Sequence, residues 1–181
     1  MSGGVPRVAP GTWREVGPDV AALSKLFGRV SGTEAPAVFL TLGRHRRLFW
    51  GWLIFAGQLM PGGRLRRRQS EMVIIRVAAH RGSEYELTQH RRLGRRAGLS
   101  AEEVARLEAG GLEGWAGSEL VLLRATDELL ADEDLTDETW SELRDHFDER
   151  AAIEIVMLAA HYRMLATVLH TLRVQPDKPR S

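Results

Sequence analysis

The most suggestive group for proton chemistry lies between positions 71 and 90: Glu71, Ser83, Glu84, Tyr85, Glu86 and His90. Glu86 and His90 are four apart, and at about 100° per helical residue they fall within about 40° of each other. Their side chains can therefore meet on one face, with Ser83 one turn earlier on the same side. A carboxylate beside an imidazole orients the ring, raises its basicity and opens a proton relay, which suits a histidine to general-base work near neutral pH. The same spacing also describes a solvated surface pair worth only a few tenths of a kcal/mol, at about 0.3. Glu71 opens a run with almost no polar residues after it. A carboxylate there either carries chemistry or simply matches the positive end of the helix dipole.

A second polar group stands out in the apolar stretch 151–169. Glu154 and His161 are seven apart, hence on one helical face, and Tyr162 follows. Either these groups satisfy one another and the neighbouring helix ends, or they line a pocket with Glu71, Glu86 and His90. Arg76 poses the same choice: it pairs with a substrate carboxylate, or with a structural acid such as Glu84 or Glu154.

The elements that must hold these groups are helices. No strand-like alternation of useful length occurs, whereas segments of 3.6-residue periodicity follow one another between Gly, Pro, Ser and Asp breaks. The spacing predicts helices over 19–30, over 36–60 with a break near Gly43, over 70–81, over 83–97, from the Ser100-Ala-Glu-Glu103 capping box onward, over 118–131, over 136–147 and over 148–172. Pro61-Gly62-Gly63 closes the second stretch, and 64–68 reads as a basic connector. The 70–81 helix has no polar face between Met72 and Ala79 except Arg76, which makes it a candidate spine of the core. The fold class is all-α. One domain is expected over 13–174, framed by a disordered N-terminal arm at 1–12 and a C-terminal tail at 175–181.

Composition narrows the chemistry. The chain of 181 residues has no cysteine, which removes disulfides, thiolate nucleophiles, cysteine metal sites and thiol redox cycling together. A net charge of +1 offers no global field for nucleic acid or anionic lipid. The arginine runs at 64–68 and 91–96 are short and lack interleaved aromatic residues, so no nucleic-acid partner is expected. The apolar run 48–60 is too short for the roughly 20 residues that cross a bilayer, and residues 1–11 lack the core of a signal peptide; no membrane partner and a cytoplasmic location are expected. No metal is assigned, because no His-x3-His or Glu-x2-His pair accompanies Glu71, Glu86 and His90. Leu48, Phe49, Trp50, Trp52 and Phe55 offer more aromatic surface than one helix face normally buries, which points to self-association unless these residues fill the core.

The framework Glu71-x11-Ser83-x2-Glu86-x3-His90 resembles the Glu-x11-Cys-x2-Cys-x3-His pattern of AhpD-like alkylhydroperoxidases, with both cysteine positions replaced. The surrounding Glu71–Ala79 text, the Ala97-Gly-Leu-Ser-Ala-Glu-Glu103 turn and His161-Tyr-Arg-Met164 are similar to cysteine-less members of the carboxymuconolactone decarboxylase family. The likeness runs from about position 36 to 174. It implies an AhpD-like helical bundle assembled as trimers or hexamers, and a cofactor-independent lyase or isomerase acting on a small organic acid or lactone. His90 would transfer the proton, Glu86 would orient it and Glu71 would be a second acid or base. Ser83, Tyr85, Arg76, His161 and Tyr162 would contact the substrate. The alternative is a non-catalytic ligand-binding or oligomeric scaffold whose site has decayed with the cysteines.

Overall fold

The computed structural model describes residues 4–178; residues 1–3 of the expected arm and 179–181 of the expected tail lie outside them. The described residues form ten α-helices and no strand. They are α1 (Trp13–Val16), α2 (Pro18–Ser31), α3 (Ala37–Leu42), α4 (Arg46–Leu59), α5 (Arg67–His80), α6 (Glu84–Arg96), α7 (Ala101–Ala109), α8 (Gly117–Ala131), α9 (Asp137–His146) and α10 (Glu149–Leu172). Where the sequence suggests one domain over 13–174, the chain groups into two compact units, 4–56 with 167–178 and Gly57–Ala166.

Two elements depart from the sequence reading. The short α1 has no apolar period to announce it; its signal is the cap, where the Thr12 N–H and hydroxyl both donate to Glu15. The expected basic connector gives up Arg67 and Arg68 to α5, because the Arg66 N–H donates to Gln69 Oε1 and starts the helix well before the apolar run that opens at Met72. That extra turn matters, since it brings Arg67 into register four residues before Glu71.

In the Gly57–Ala166 unit, α5 is the spine. Every residue from Ser70 to Ala78 is buried, and the helix packs against α6, α7 and α8, with α9 laid on α8. Met72, Ile75, Ala78, Leu87, Leu99, Val104, Leu107, Trp115 and Leu123 form a continuous core there. Each large apolar side chain of this set stabilises the fold by about 1.5–3 kcal/mol through burial. Gly94 sets how closely α6 can approach. A Cβ there would sit 2.9 Å from both Ile75 Cδ1 and Leu99 Cδ1, so glycine lets the Glu86–His90–Gly94 face of α6 lie on α5 without those two side-chain ends moving. Gly98, at φ +94°, then turns the chain into α7. Its Ser100 cap is closed in both directions: Glu103 N–H donates to Ser100 Oγ, and Ser100 N–H donates to Glu103 Oε2. Arg68 ties these elements by donating to Glu103, Glu119 and the Gly98 carbonyl.

Helix α10 has the length and mean hydropathy of a membrane span, but half of that window is packed inside the protein, as in an ordinary core helix. In the other unit, Phe39 of α3 packs at a tilt against Phe27 of α2 and edge-on against Phe49 and Trp52 of α4. The aromatic run 48–55 therefore divides: Phe49 fills the core, while Leu48 and Ile54 stay on the surface. The N-terminal segment is tied down at two backbone positions. Arg7 N–H donates to the Leu172 carbonyl and Gly11 N–H to that of Leu40.

Candidate active site

The buried polar cluster of the Gly57–Ala166 unit is centred on Glu71, which is 0% exposed in the first half of α5. The sequence of α5 brings Arg67 one turn before it, and Arg67 Nη2 lies 2.6 Å from Glu71 Oε1. From α6, His90 Nδ1 lies 2.7 Å from Glu71 Oε2. An Nδ1–H facing the Arg67-paired carboxylate donates to it, which leaves Nε2 as the atom able to take or give a proton. Tyr162 of α10 stands edge-on to the His90 ring at 5.2 Å and also to His161 at 5.2 Å.

Expectation and structure differ on which acid holds the histidine. Glu86 shares a face with His90, as the spacing predicts, yet the imidazole turns to Glu71 on the facing helix. A charged, Arg-paired carboxylate is the stronger acceptor, and the close α5–α6 approach at Gly94 puts it within reach. Glu86 is buried, at 2% exposed, and neither its carboxyl oxygens nor Ser83 Oγ, three residues earlier and near it, makes a hydrogen bond of ordinary geometry. Burial pushes the Glu86 carboxyl up to about 7, a rise the nearby Ser83 hydroxyl only tempers. Near neutrality Glu86 is thus poised between acid and base. Burial, with Glu71 and Glu86 adding their negative charge, pushes the Tyr162 phenol well above its ordinary range, so it stays a hydrogen-bond donor. Burial alone pulls His161 down to about 4, which keeps that ring neutral.

Not every expected site residue joins this cluster. Arg76 is spent elsewhere: Nε and Nη2 donate to Asp127 at 2.6 and 2.8 Å, while Nη1 and Nη2 reach the Leu107 and Gly110 carbonyls. Its acid is Asp127 of α8 rather than Glu84 or Glu154, because five residues past Glu71 the side chain leaves α5 on another face. Glu154 is likewise structural, accepting the Arg64 and Leu65 N–H groups of the α4–α5 connection. Tyr85 is buried on α6 but lies about 100° around the helix from Glu86. The residue that the sequence reading passed over is Arg67, hidden in an arginine run; only its i,i+4 relation to Glu71 could have marked it.

A hollow of about 360 Å³ opens beside the cluster, lined by Leu59, Met60, Pro61, Gly63, Leu65, Arg67 and Ser70. Arg67 is common to both, so the hollow and the Glu71–His90 pair meet at one guanidinium. Among the described residues, no three His, Asp or Glu side chains gather in a way that could hold a metal ion.

Residues 46–128, which contain Glu71, Glu86 and His90, match the carboxymuconolactone decarboxylase family. No curated protein matches the chain. Among solved structures, the chain is similar to an uncharacterized peroxidase-related protein with an alkylhydroperoxidase AhpD core from Ralstonia eutropha JMP134, at TM-score 0.85 and 18% identity over 97% of this chain and 94% of that one. It is also similar to a peroxidase-related protein from Silicibacter sp. TM1040, at TM-score 0.80 and 16% identity over 89% and 86% of the two chains. A third is a cysteine-to-alanine variant of the debrominase Bmp8 in complex with 2,3,4-tribromopyrrole, at TM-score 0.79 and 16% identity over 97% and 93%. The chain therefore has an AhpD-like helical fold and carries, over residues 46–128, a segment that matches the carboxymuconolactone decarboxylase family, with no cysteine in it.

Proposed function

We propose that the protein is a cofactor-independent acid–base enzyme, a decarboxylase-type lyase or an isomerase, acting on a small organic acid or lactone. The observation that carries this reading is the buried Glu71–His90 contact of 2.7 Å, fixed from behind by Arg67. A carboxylate that holds Nδ1 sets the tautomer and leaves Nε2 for substrate. Loss of CO2 or removal of a proton next to a carbonyl leaves an electron pair in an enolate. That intermediate needs a hydrogen-bond donor at oxygen and a proton at carbon. Tyr162, kept protonated, and Glu86, half protonated near pH 7, are the donors the cluster offers. Peroxide reduction by a dithiol has no thiol to run on, since a serine hydroxyl and a carboxyl occupy the two positions where the resembled peroxidases carry cysteine.

The test is deuterium incorporation. The protein, incubated in D2O with a panel of lactone carboxylates and small 3-oxo acids, should promote exchange or CO2 release, and His90→Gln should reduce the rate by at least about 10²-fold with folding intact. An unchanged rate in His90→Gln removes the histidine from the mechanism.

A second reading, an oligomeric scaffold without catalysis, draws on the surface of α10. Ile153, Met157 and Met164 are 55%, 42% and 48% exposed and, with Ala160 between them, recur at spacings of four, three and four, the pattern of a helix–helix seam. Self-association of this kind is compatible with either reading. Met157→Glu should then lower the mass found by light scattering to that of one 20.2 kDa chain. A wild-type protein that is already monomeric would discard the seam.

A further inference from the structure

The hollow between the end of α4 and the start of α5 has a composition that the proton-transfer cluster does not explain. Leu59, Met60, Pro61 and Leu65 give it apolar walls, Ser70 adds a hydroxyl-bearing residue, and Arg67 is its only ionisable lining residue. At about 360 Å³ it falls at the small end of ligand-pocket volumes. A fixed cation in an apolar recess normally finds a structural acid, and Arg67 has one in Glu71. That ion pair, however, is made through Nη2, while the side chain as a whole remains 41% exposed. A guanidinium carries five N–H donors in a planar fork, so one edge can stay on Glu71 while another receives an anion.

We propose that this hollow is the binding site for a compact monocarboxylate, with its carboxylate on Arg67 and its apolar body against Leu59, Met60 and Leu65. The inference deepens the acid–base reading and rests on it only for the idea that the bound acid is the substrate. A carboxylate anchored there is one guanidinium away from Glu71, and Glu71 in turn touches His90. The acid group would then be held by the residue that also holds the catalytic pair. Loss of Arg67 should accordingly weaken ligand binding and disturb His90 together, whereas loss of His90 should leave ligand binding alone. A second carboxylate on the ligand would meet no further cation among the lining residues, which selects for monoacids.

Benzoate is a suitable probe and benzamide its uncharged control. The full chain, labelled with nitrogen-15, is titrated with each at pH 7 while backbone amide shifts are followed. Benzoate should give saturable shifts at Gly63, Leu65, Arg67 and Ser70, with benzamide at least about tenfold weaker. Arg67→Gln should abolish the preference for benzoate. Met60→Trp, which fills the hollow and keeps the cation, should weaken both compounds, and His90→Gln should bind benzoate like the wild type. Equal affinity for the two compounds, shifts centred elsewhere, or an unchanged preference in Arg67→Gln would overturn the site, and the wild-type comparison requires no variant to fold. If benzoate binds as described while His90→Gln keeps full turnover, the hollow stands and the acid–base reading falls. The reverse pattern leaves the acid–base reading and removes the hollow.

Discussion

Arg76→Met is expected to destabilise the protein by about 3 kcal/mol without altering the affinity for a small carboxylate. The guanidinium is almost wholly buried and all of its nitrogens are used, on both oxygens of Asp127 and on the carbonyls of Leu107 and Gly110. Methionine matches the aliphatic stem but leaves the Leu107 carbonyl at the end of α7 with only the long 3.4 Å contact from the Gly110 N–H, and an under-satisfied buried acceptor costs about 1–3 kcal/mol by itself. Asp127 is less of a burden, because its side chain is 39% exposed and water can take over. The bidentate Arg–Asp pair also ties α5 to α8, so its removal should loosen the contact on which the spine of the unit depends. Urea unfolding followed by circular dichroism measures the loss, and benzoate titration of the same variant measures binding. A variant as stable as wild type but unable to bind would return Arg76 to the substrate site and contradict the structural role assigned to it.

Glu86→Gln is expected to change the pH dependence of stability more than its value at any one pH. A carboxyl raised from 4.5 to about 7 by burial is protonated in the folded chain where the unfolded chain has already ionised. Its contribution is complete below about pH 4.5, declines as pH rises through 7 and is then level, an effect on the order of 3 kcal/mol across that window. His161 works in the opposite sense. Burial lowers it from 6.5 to about 4, so its stabilising contribution is present above pH 6.5 and is lost as pH falls toward 4. Between about pH 4.5 and 6.5 the two slopes oppose each other, and the wild-type profile should be shallow. Glu86→Gln should uncover the His161 slope, with stability falling in acid, and His161→Gln should uncover the Glu86 slope, with stability falling toward neutrality. Stability profiles of wild type and Glu86→Gln that run parallel from pH 4.5 to 7.5 would mean that Glu86 is hydrated and ionised like a surface carboxylate. Glu86 would then no longer serve as a proton donor at neutral pH.

Much of this protein was legible before any coordinates. Apolar periodicity and punctuation marked the long helices to within a few residues, because a Gly or a Ser-x-x-Glu box acts on the backbone locally whatever surrounds it. Burial of the 72–79 run followed from its lack of a polar face. The absence of cysteine bounded the chemistry outright, since no packing arrangement can supply a missing thiol. Spacing along one helix also identified Glu86 and His90 as neighbours on a face. It could not say which carboxylate the imidazole would choose, because the competitor sits on a different helix and the distance between helices is set by Gly94, Ile75 and Leu99 packing together. Arg76 and Arg67 show the same division. Both are arginines on α5, yet one faces Asp127 across the core and the other opens onto a hollow beside Glu71. Local periodicity is written in the chain, whereas the partner of a buried charge depends on which surfaces close over it, and only the packed tertiary structure decides that.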